Sequence, residues 1–327
     1  MKKGTLLVLV ALLLVSLLTI GCAVKAEKTF QLAETHPEDY PTTLADKEFA
    51  RLVNQASGGK IAVEVFANKK LGEEKTAVEQ VQLGAVAFTR VSLSLTSGFV
   101  PELDALQLPY LYRDADHMWK VLNGPIGQGL LKKLETANLI GLCYYDGGTR
   151  SFYTRKKVTT VADLRGMKIR VQQAPLMVGM VEALGAIATP LPYGDVYSAL
   201  QTGTVDGAEN NWPSYFSTNH FEHAKFYIVD EHTKVPELLM MSKKLFDALK
   251  PEEQALIKKA AADTVAIQIK LWNAEEKRSE EAVKAKGVTV TTISAEEKQK
   301  FMDAMQALYK KQPQAIQDMA AQIRAVK

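Results

Sequence analysis

Cysteine is nearly absent from this sequence. Cys22 and Cys143 are its two thiols in 327 residues, and Cys22 falls inside an N-terminal leader. No intramolecular disulfide is then available after export, so the core must stabilise the fold. Cys143 lies in the apolar run Leu139-Ile140-Gly141-Leu142-Cys143, where a thiol packs as a small hydrophobe. Histidine is also scarce, at five residues. His220 and His223 are the one close pair, with no carboxylate or cysteine at a metal-ligand spacing, so they read as a packing pair. Gly-x-Ser-x-Gly, the phosphate loop and Gly-x-Gly-x-x-Gly are all missing. No motif supports an enzyme, and no cofactor or metal is called for.

Long apolar runs are missing after the first residues. Lys2 and Lys3 precede an apolar stretch from Leu6 to Ile20, broken only by Ser16 and Thr19. A spanning helix needs about 20 apolar residues, and this stretch is shorter. A positive start, a short apolar stretch and small residues after it mark residues 1–26 as a secretory signal. Val24-Lys25-Ala26 suits an ordinary signal peptidase. Gly21-Cys22 offers a lipoprotein cut instead, ending the signal at 21 and leaving a lipid on Cys22 as the one membrane contact. The expected product is exported, either free in the periplasm or lipid-anchored at the outer face of the membrane.

Net charge is small as well. The chain has 40 basic and 37 acidic residues, and the excess is Lys2, Lys3 and Lys25 of the leader. A balanced remainder argues against nucleic acid, which needs a clustered positive face.

Strand-like and helix-like segments alternate, predicting an α/β fold. Residues 29–33, 60–66, 85–91 and 140–145 read as strands, with helices over 42–57, 73–83, 114–123 and 126–136 between them. Asp146-Gly147-Gly148 follows as a turn or hinge. A second block repeats the order: a strand at 168–171, helices over 175–184 and 193–202, and a strand beginning at 207. From Pro251 to Lys286 nothing breaks a helix. Pro251 fits its first position, Glu252 and Glu253 its positive end, and Gly287 its cap. Such a helix is roughly 50 Å long at 1.5 Å per residue, too long for one small domain, so it should cross two lobes. Ser294 and Glu297 form a capping box for a last helix.

Chemistry is carried by polar residues at strand ends. Arg170 alternates with Ile169 and Val171 on a short strand where an apolar residue is expected. A buried guanidinium needs a partner; either a ligand carboxylate held bidentately or an interdomain salt bridge would serve. Arg150 follows the hinge-like turn, and Arg90 ends a strand of the first block. Asn210 and Asn211 stand beside Trp212 and Tyr215, as amides that read hydroxyls and rings that stack on sugars, or as a loop around a packed tryptophan. His36 and His232 end other strand-like runs, and Glu34 and Glu74 could accept hydroxyl hydrogens. Small-ligand sites are built from such groups converging on a cleft.

The stretch Asp163-Leu164-Arg165-Gly166-Met167-Lys168-Ile169-Arg170-Val171-Gln172 resembles extracytoplasmic solute receptors of TRAP (tripartite ATP-independent periplasmic) transporters. The likeness continues through Tyr197-Ser198-Ala199-Leu200-Gln201-Thr202-Gly203 and Val205-Asp206-Gly207-Ala208-Glu209-Asn210, with earlier matches at Leu71-Gly72-Glu73-Glu74 and Leu108-Pro109-Tyr110. It implies a two-lobed periplasmic binding protein fold with a hinge and a long helix crossing both lobes. Lobe one would hold 27–148 with about 236–268, and lobe two 149–235 with about 269–327, C-terminal helices included. The family's carboxylate-binding arginine falls on Arg170, its second cleft arginine on Arg150 and its contacting asparagine on Asn210; Gln172 closes the motif.

Ala208-Glu209-Asn210-Asn211-Trp212-Pro213-Ser214-Tyr215 and Asp230-Glu231-His232-Thr233 are similar to receptors for hexuronates such as glucuronate and galacturonate, as are Thr89-Arg90-Val91-Ser92 and the His36 region. On that resemblance Arg170 and Arg150 hold the acid. Asn210, Asn211, Glu74 and His232 read hydroxyls, Trp212 or Tyr215 walls the ring, and the partners are a small-molecule organic acid and separate small and large membrane subunits. Receptors for an aldonate, a sialate or a C4-dicarboxylate, and a periplasmic sensor domain, stay open as alternatives.

Overall fold

The computed structural model describes residues 26–327. The expected leader up to Lys25, with Cys22, lies outside the described residues. Two mixed sheets form two lobes. The first contains β1 (Lys28–Ala33), β2 (Ile61–Phe66), β3 (Phe88–Ser92), β4 (Leu139–Tyr145) and β10 (Glu237–Ser242), in the order β2-β1-β3-β10-β4. The second contains β5 (Thr149–Thr154), β6 (Lys168–Val171), β7 (Ile187–Pro190), β8 (Gly207–Asn210), β9 (Phe226–Lys234) and β11 (Thr289–Thr292), in the order β11-β9-β5-β8-β6-β7. Short central strands such as β8, buried at every position, are covered on both faces and carry no alternating pattern.

The chain crosses between lobes twice along the sheets, from β4 to β5 through Asp146-Gly147-Gly148 and from β9 to β10 through Val235-Pro236. The crossings lie side by side: Glu237 pairs with Tyr145 on one side and Lys234 with Thr149 on the other. A Cβ on Gly147 would stand 2.3 Å from the Val235 carbonyl oxygen. Glycine is therefore what lets the two strands touch.

The long helix runs from Pro251 to Ala285, close to expectation. Its first half packs against the helix Pro41–Ala56 of lobe one and its second half against the short helix Trp212–Ser217 of lobe two. Where it passes the hinge, buried Gln268 donates through Nε2 to the Asp146 carbonyl at 2.9 Å and accepts from the Asp146 N–H at 2.7 Å. One side chain thus satisfies both backbone groups of the first hinge residue. No helix among the described residues is long and apolar enough to cross a membrane.

Two readings differ from expectation. The Ser294 cap opens the helix Ala295–Lys311, but a further helix, Gln314–Ala325, follows it. Pro313, with no N–H to donate, separates the two. That last helix packs against lobe one, where Arg113 donates to the carbonyls of Arg324 and Val326 and His117 lies 2.9 Å from that of Ile323. The C-terminal segment therefore spans both lobes rather than belonging to lobe two.

Candidate ligand-binding cleft

Lobe two places three basic side chains near the seam, each differently paired. Arg150, on β5, meets Glu209 on the neighbouring β8, Nε at 2.6 Å from Oε2 and Nη2 at 2.9 Å from Oε1. Its Nη1 donates to Asn210 Oδ1 at 2.9 Å. His232, fully buried on β9, sits 2.8 Å from Asp230 and 3.4 Å from Glu209. Burial opposes its charge, but Asp230 and Glu209 outweigh burial and raise the imidazole to about 9. Burial likewise pushes Glu209 up, and Arg150 and His232 more than reverse this, lowering it to about 2. Asp230, His232, Glu209 and Arg150 form a linear chain of alternating charge.

Arg170 is the exception. It is 2% exposed, and its hydrogen bonds run from Nε and Nη2 to one carbonyl oxygen, that of Leu191, at 3.0 and 2.6 Å. Burial pulls its pKa down from the ordinary value. No carboxylate among the described residues pairs with it. The interdomain salt bridge open from the sequence is not what holds this guanidinium.

Lobe one presents the opposite charge. Arg90, fully buried on β3, is held by Glu34, Glu74 and Glu237: Nε at 2.8 Å from Glu34, Nη1 at 2.7 Å from Glu74 and 2.6 Å from Glu237, with a further contact from Nη2 to Glu34. His36 also contacts Arg90, and burial with that neighbouring charge lowers its pKa. Burial pushes Glu34 up, but Arg90 more than reverses this and holds it well below the usual range. Burial raises Asp46, behind Glu34, well above its ordinary value. Burial brings Glu237 to about 7, with Arg90 opposing.

Between the lobes is a narrow, partly open cavity of about 20 Å³, lined by Glu74, Lys75 and Leu95 of lobe one and Arg170, Gln172, Tyr193 and Asn210 of lobe two. That volume suits little more than a water, so entry of a sugar-sized molecule requires the lobes to part. Gln172 Oε1 is buried here without a partner among the described residues, whereas the Tyr193 hydroxyl is turned toward Ser214 and Ser217. Asn210 Oδ1 is occupied by Arg150 and the Asn211 N–H, which leaves its amide hydrogens as the group it can offer.

Of the residues singled out from sequence, Arg170, Gln172, Asn210 and Glu74 meet at this cavity, with Arg150 directly behind Asn210. Others do not reach it. Arg90 is saturated by carboxylates, and His232 is enclosed between Asp230 and Glu209. Asn211 caps the helix Trp212–Ser217, accepting from the Ser214 N–H at 2.8 Å and donating to the Gly147 carbonyl at 3.0 Å. Trp212 stacks on Tyr227 at 3.5 Å, and Tyr215 donates to the Ala224 carbonyl at 2.6 Å, both in the apolar core of lobe two. The cap turns these rings under the sheet, so they do not wall this cavity. His36 stacks on Tyr40 at 3.9 Å and approaches Tyr193 at 5.0 Å across the seam.

Tyr193, Glu209 and Glu237 were not among the expected site residues. Glu209 and Glu237 carried a readable signal, an acid within or beside an apolar strand, the same signal that marks Arg170. Tyr193, in Pro192-Tyr193-Gly194, follows no periodic pattern.

Two α/β lobes joined by paired strands, crossed by one helix and closed over a buried unpaired cation define a two-lobed solute-binding protein. The chain belongs to the bacterial extracellular solute-binding protein family 7, whose model matches residues 32–315. A TRAP periplasmic solute-binding protein from Bradyrhizobium sp. BTAi1, solved in complex with α/β-D-galacturonate, is 50% identical with a TM-score of 0.88, covering 90% of this chain and 99% of that one. Another from Pseudomonas putida F1, solved with D-glucuronate, is 42% identical with a TM-score of 0.89, covering 91% and 97%. A solute-binding protein of Chromohalobacter salexigens is 35% identical over 275 residues, 84% of this chain and 81% of that protein.

Proposed function

We propose that this protein is the periplasmic receptor of a TRAP transporter, that its ligand is a hexuronate such as D-galacturonate or D-glucuronate, and that it hands the ligand unchanged to membrane subunits. The observation that carries this reading is Arg170, a guanidinium buried at the interlobe cavity with only the Leu191 carbonyl as partner. A planar carboxylate matches its fork. Gln172 Oε1, buried without a partner among the described residues, and the Asn210 amide hydrogens supply an acceptor and donors for a hydroxylated ring. Relatives at 50% and 42% identity with hexuronates bound support the same reading.

The test is a thermal-shift screen across hexuronates, aldonates and C4-dicarboxylates, with NMR of the incubated sugar acid to detect turnover. Hexuronates should give the largest shift by mass action, and the sugar acid should be recovered intact. A C4-dicarboxylate stabilising as strongly, or conversion of the acid, would replace this reading.

A further inference from the structure

The two walls of the cavity carry opposite charge. On the lobe-two side Arg170 brings a positive charge that no carboxylate among the described residues hydrogen-bonds, while Arg150 and His232 are already paired with Glu209 and Asp230. On the lobe-one side the single guanidinium of Arg90 faces Glu34, Glu74 and Glu237. With a proton on Glu237, Glu34 and Glu74 together still exceed Arg90 by one negative charge. Glu74 is the member of this group that lines the cavity. One of its oxygens, Oε1, takes both the Arg90 Nη1 bond and the Ser92 N–H at 3.2 Å, and no donor among the described residues reaches Oε2. Of the nearby cations, Lys75 lines the same cavity but is exposed to solvent, where its charge is screened, and Lys69 stands 3.5 Å from Glu73.

We propose that Glu74 makes the receptor a monocarboxylate filter: a sugar acid with its carboxylate on Arg170 is accepted when its far end carries hydroxyls, and rejected when that end carries a second carboxylate. This rests on the hexuronate reading and adds the excluded class, the aldaric acids. Glu74 Oε2 accepts a hydroxyl hydrogen from the far end of a monoacid. From a diacid it meets an acceptor of its own sign, in a space from which water is largely expelled, where charges interact far more strongly than in solvent. Arg90 cannot turn to rescue the second carboxylate, because its Nε and both terminal nitrogens are already bound by acids. An arginine that looks like a second anion anchor in the sequence is therefore the neutralised centre of an acidic wall.

Galactonate and galactarate isolate the effect, being open chains of one length that differ by the second carboxylate. Competition against D-galacturonate on the full mature protein should show galactarate at least tenfold weaker than galactonate. Glu74→Gln should narrow that ratio severalfold, whatever it does to either affinity alone. A test independent of that variant's folding uses wild-type protein and galactaric acid monoamide, which should regain most of the difference because the second charge is gone. Galactarate binding as tightly as galactonate, or a ratio unmoved both by Glu74→Gln and by the amide, would overturn the filter. Failure of D-galacturonate itself to bind would instead overturn the hexuronate reading, so the two failures are distinguishable.

Discussion

Arg170 and Leu191 share the decisive contact of this molecule: a buried guanidinium donates through two nitrogens to a single backbone oxygen, at 3.0 and 2.6 Å. A carbonyl is a dipole, not a counter-charge, so the cation is solvated but not balanced. Arg170→Lys should lower hexuronate affinity at least thirtyfold, about 2 kcal/mol, because an ammonium cannot reproduce the fork. Calorimetric titration reads this directly, and near-unchanged affinity would make Arg170 a structural residue.

The same contrast predicts stability. Glu209 is bound by Arg150 through two short bonds and is fully buried, so Glu209→Ala strands a buried charge and should cost about 3–5 kcal/mol. Arg170→Met removes a charge that has no counter-ion and should change ligand-free stability by no more than about 1 kcal/mol. Urea unfolding of the two variants should separate them clearly. Equal losses would mean that Arg170 is paired in the folded protein.

The pH dependence has a definite sign. His232 is raised to about 9, above its unfolded value of about 6.5. Its contribution is complete below about pH 6.5 and is lost as pH rises through about 9. Glu209, lowered to about 2, contributes fully above about pH 4.3 and loses this as pH falls through about 2. Glu237, raised to about 7, acts in the other direction, its ionisation eroding stability between about pH 4.3 and 7. Above about pH 7 the loss falls to His232 and to the raised Asp46, and a His232 variant separates the two. Urea midpoints should fall across that range, and His232→Gln should flatten the fall; identical slopes would contradict a charged imidazole between Asp230 and Glu209.

Much of this architecture was legible beforehand. The long helix, its crossing of two lobes and the Asp146-Gly147-Gly148 hinge follow from propensity, length and turn residues, all of which are local. Arg170 was conspicuous because a charge on a short apolar strand needs a reason. Pairing was not legible, because it depends on which strands become neighbours. Arg90 and Arg170 both sit on strands, yet β1, β10 and the helix Glu74–Leu83 bring three acids to one of them and none to the other. Trp212 and Tyr215 read equally well as a sugar platform or as core, and the Asn211 cap decides for the core.

The hinge clamp gives a further test. Gln268→Leu leaves both backbone groups of Asp146 without partners and should cost about 2–6 kcal/mol, at about 1–3 kcal/mol per orphaned buried group. Gly147→Ala places a methyl against the Val235 carbonyl and should also destabilise. Denaturant melts check both, and a Gln268→Leu protein as stable as wild type would mean the clamp contributes nothing.

The most direct measurement is a crystal structure of the mature protein with D-galacturonate. The account predicts the sugar carboxylate within hydrogen-bonding distance of the Arg170 guanidinium, its hydroxyls on Asn210, Gln172 and Glu74, and both lobes touching the ring. A carboxylate bound elsewhere, with Arg170 still facing only the Leu191 oxygen, would contradict it.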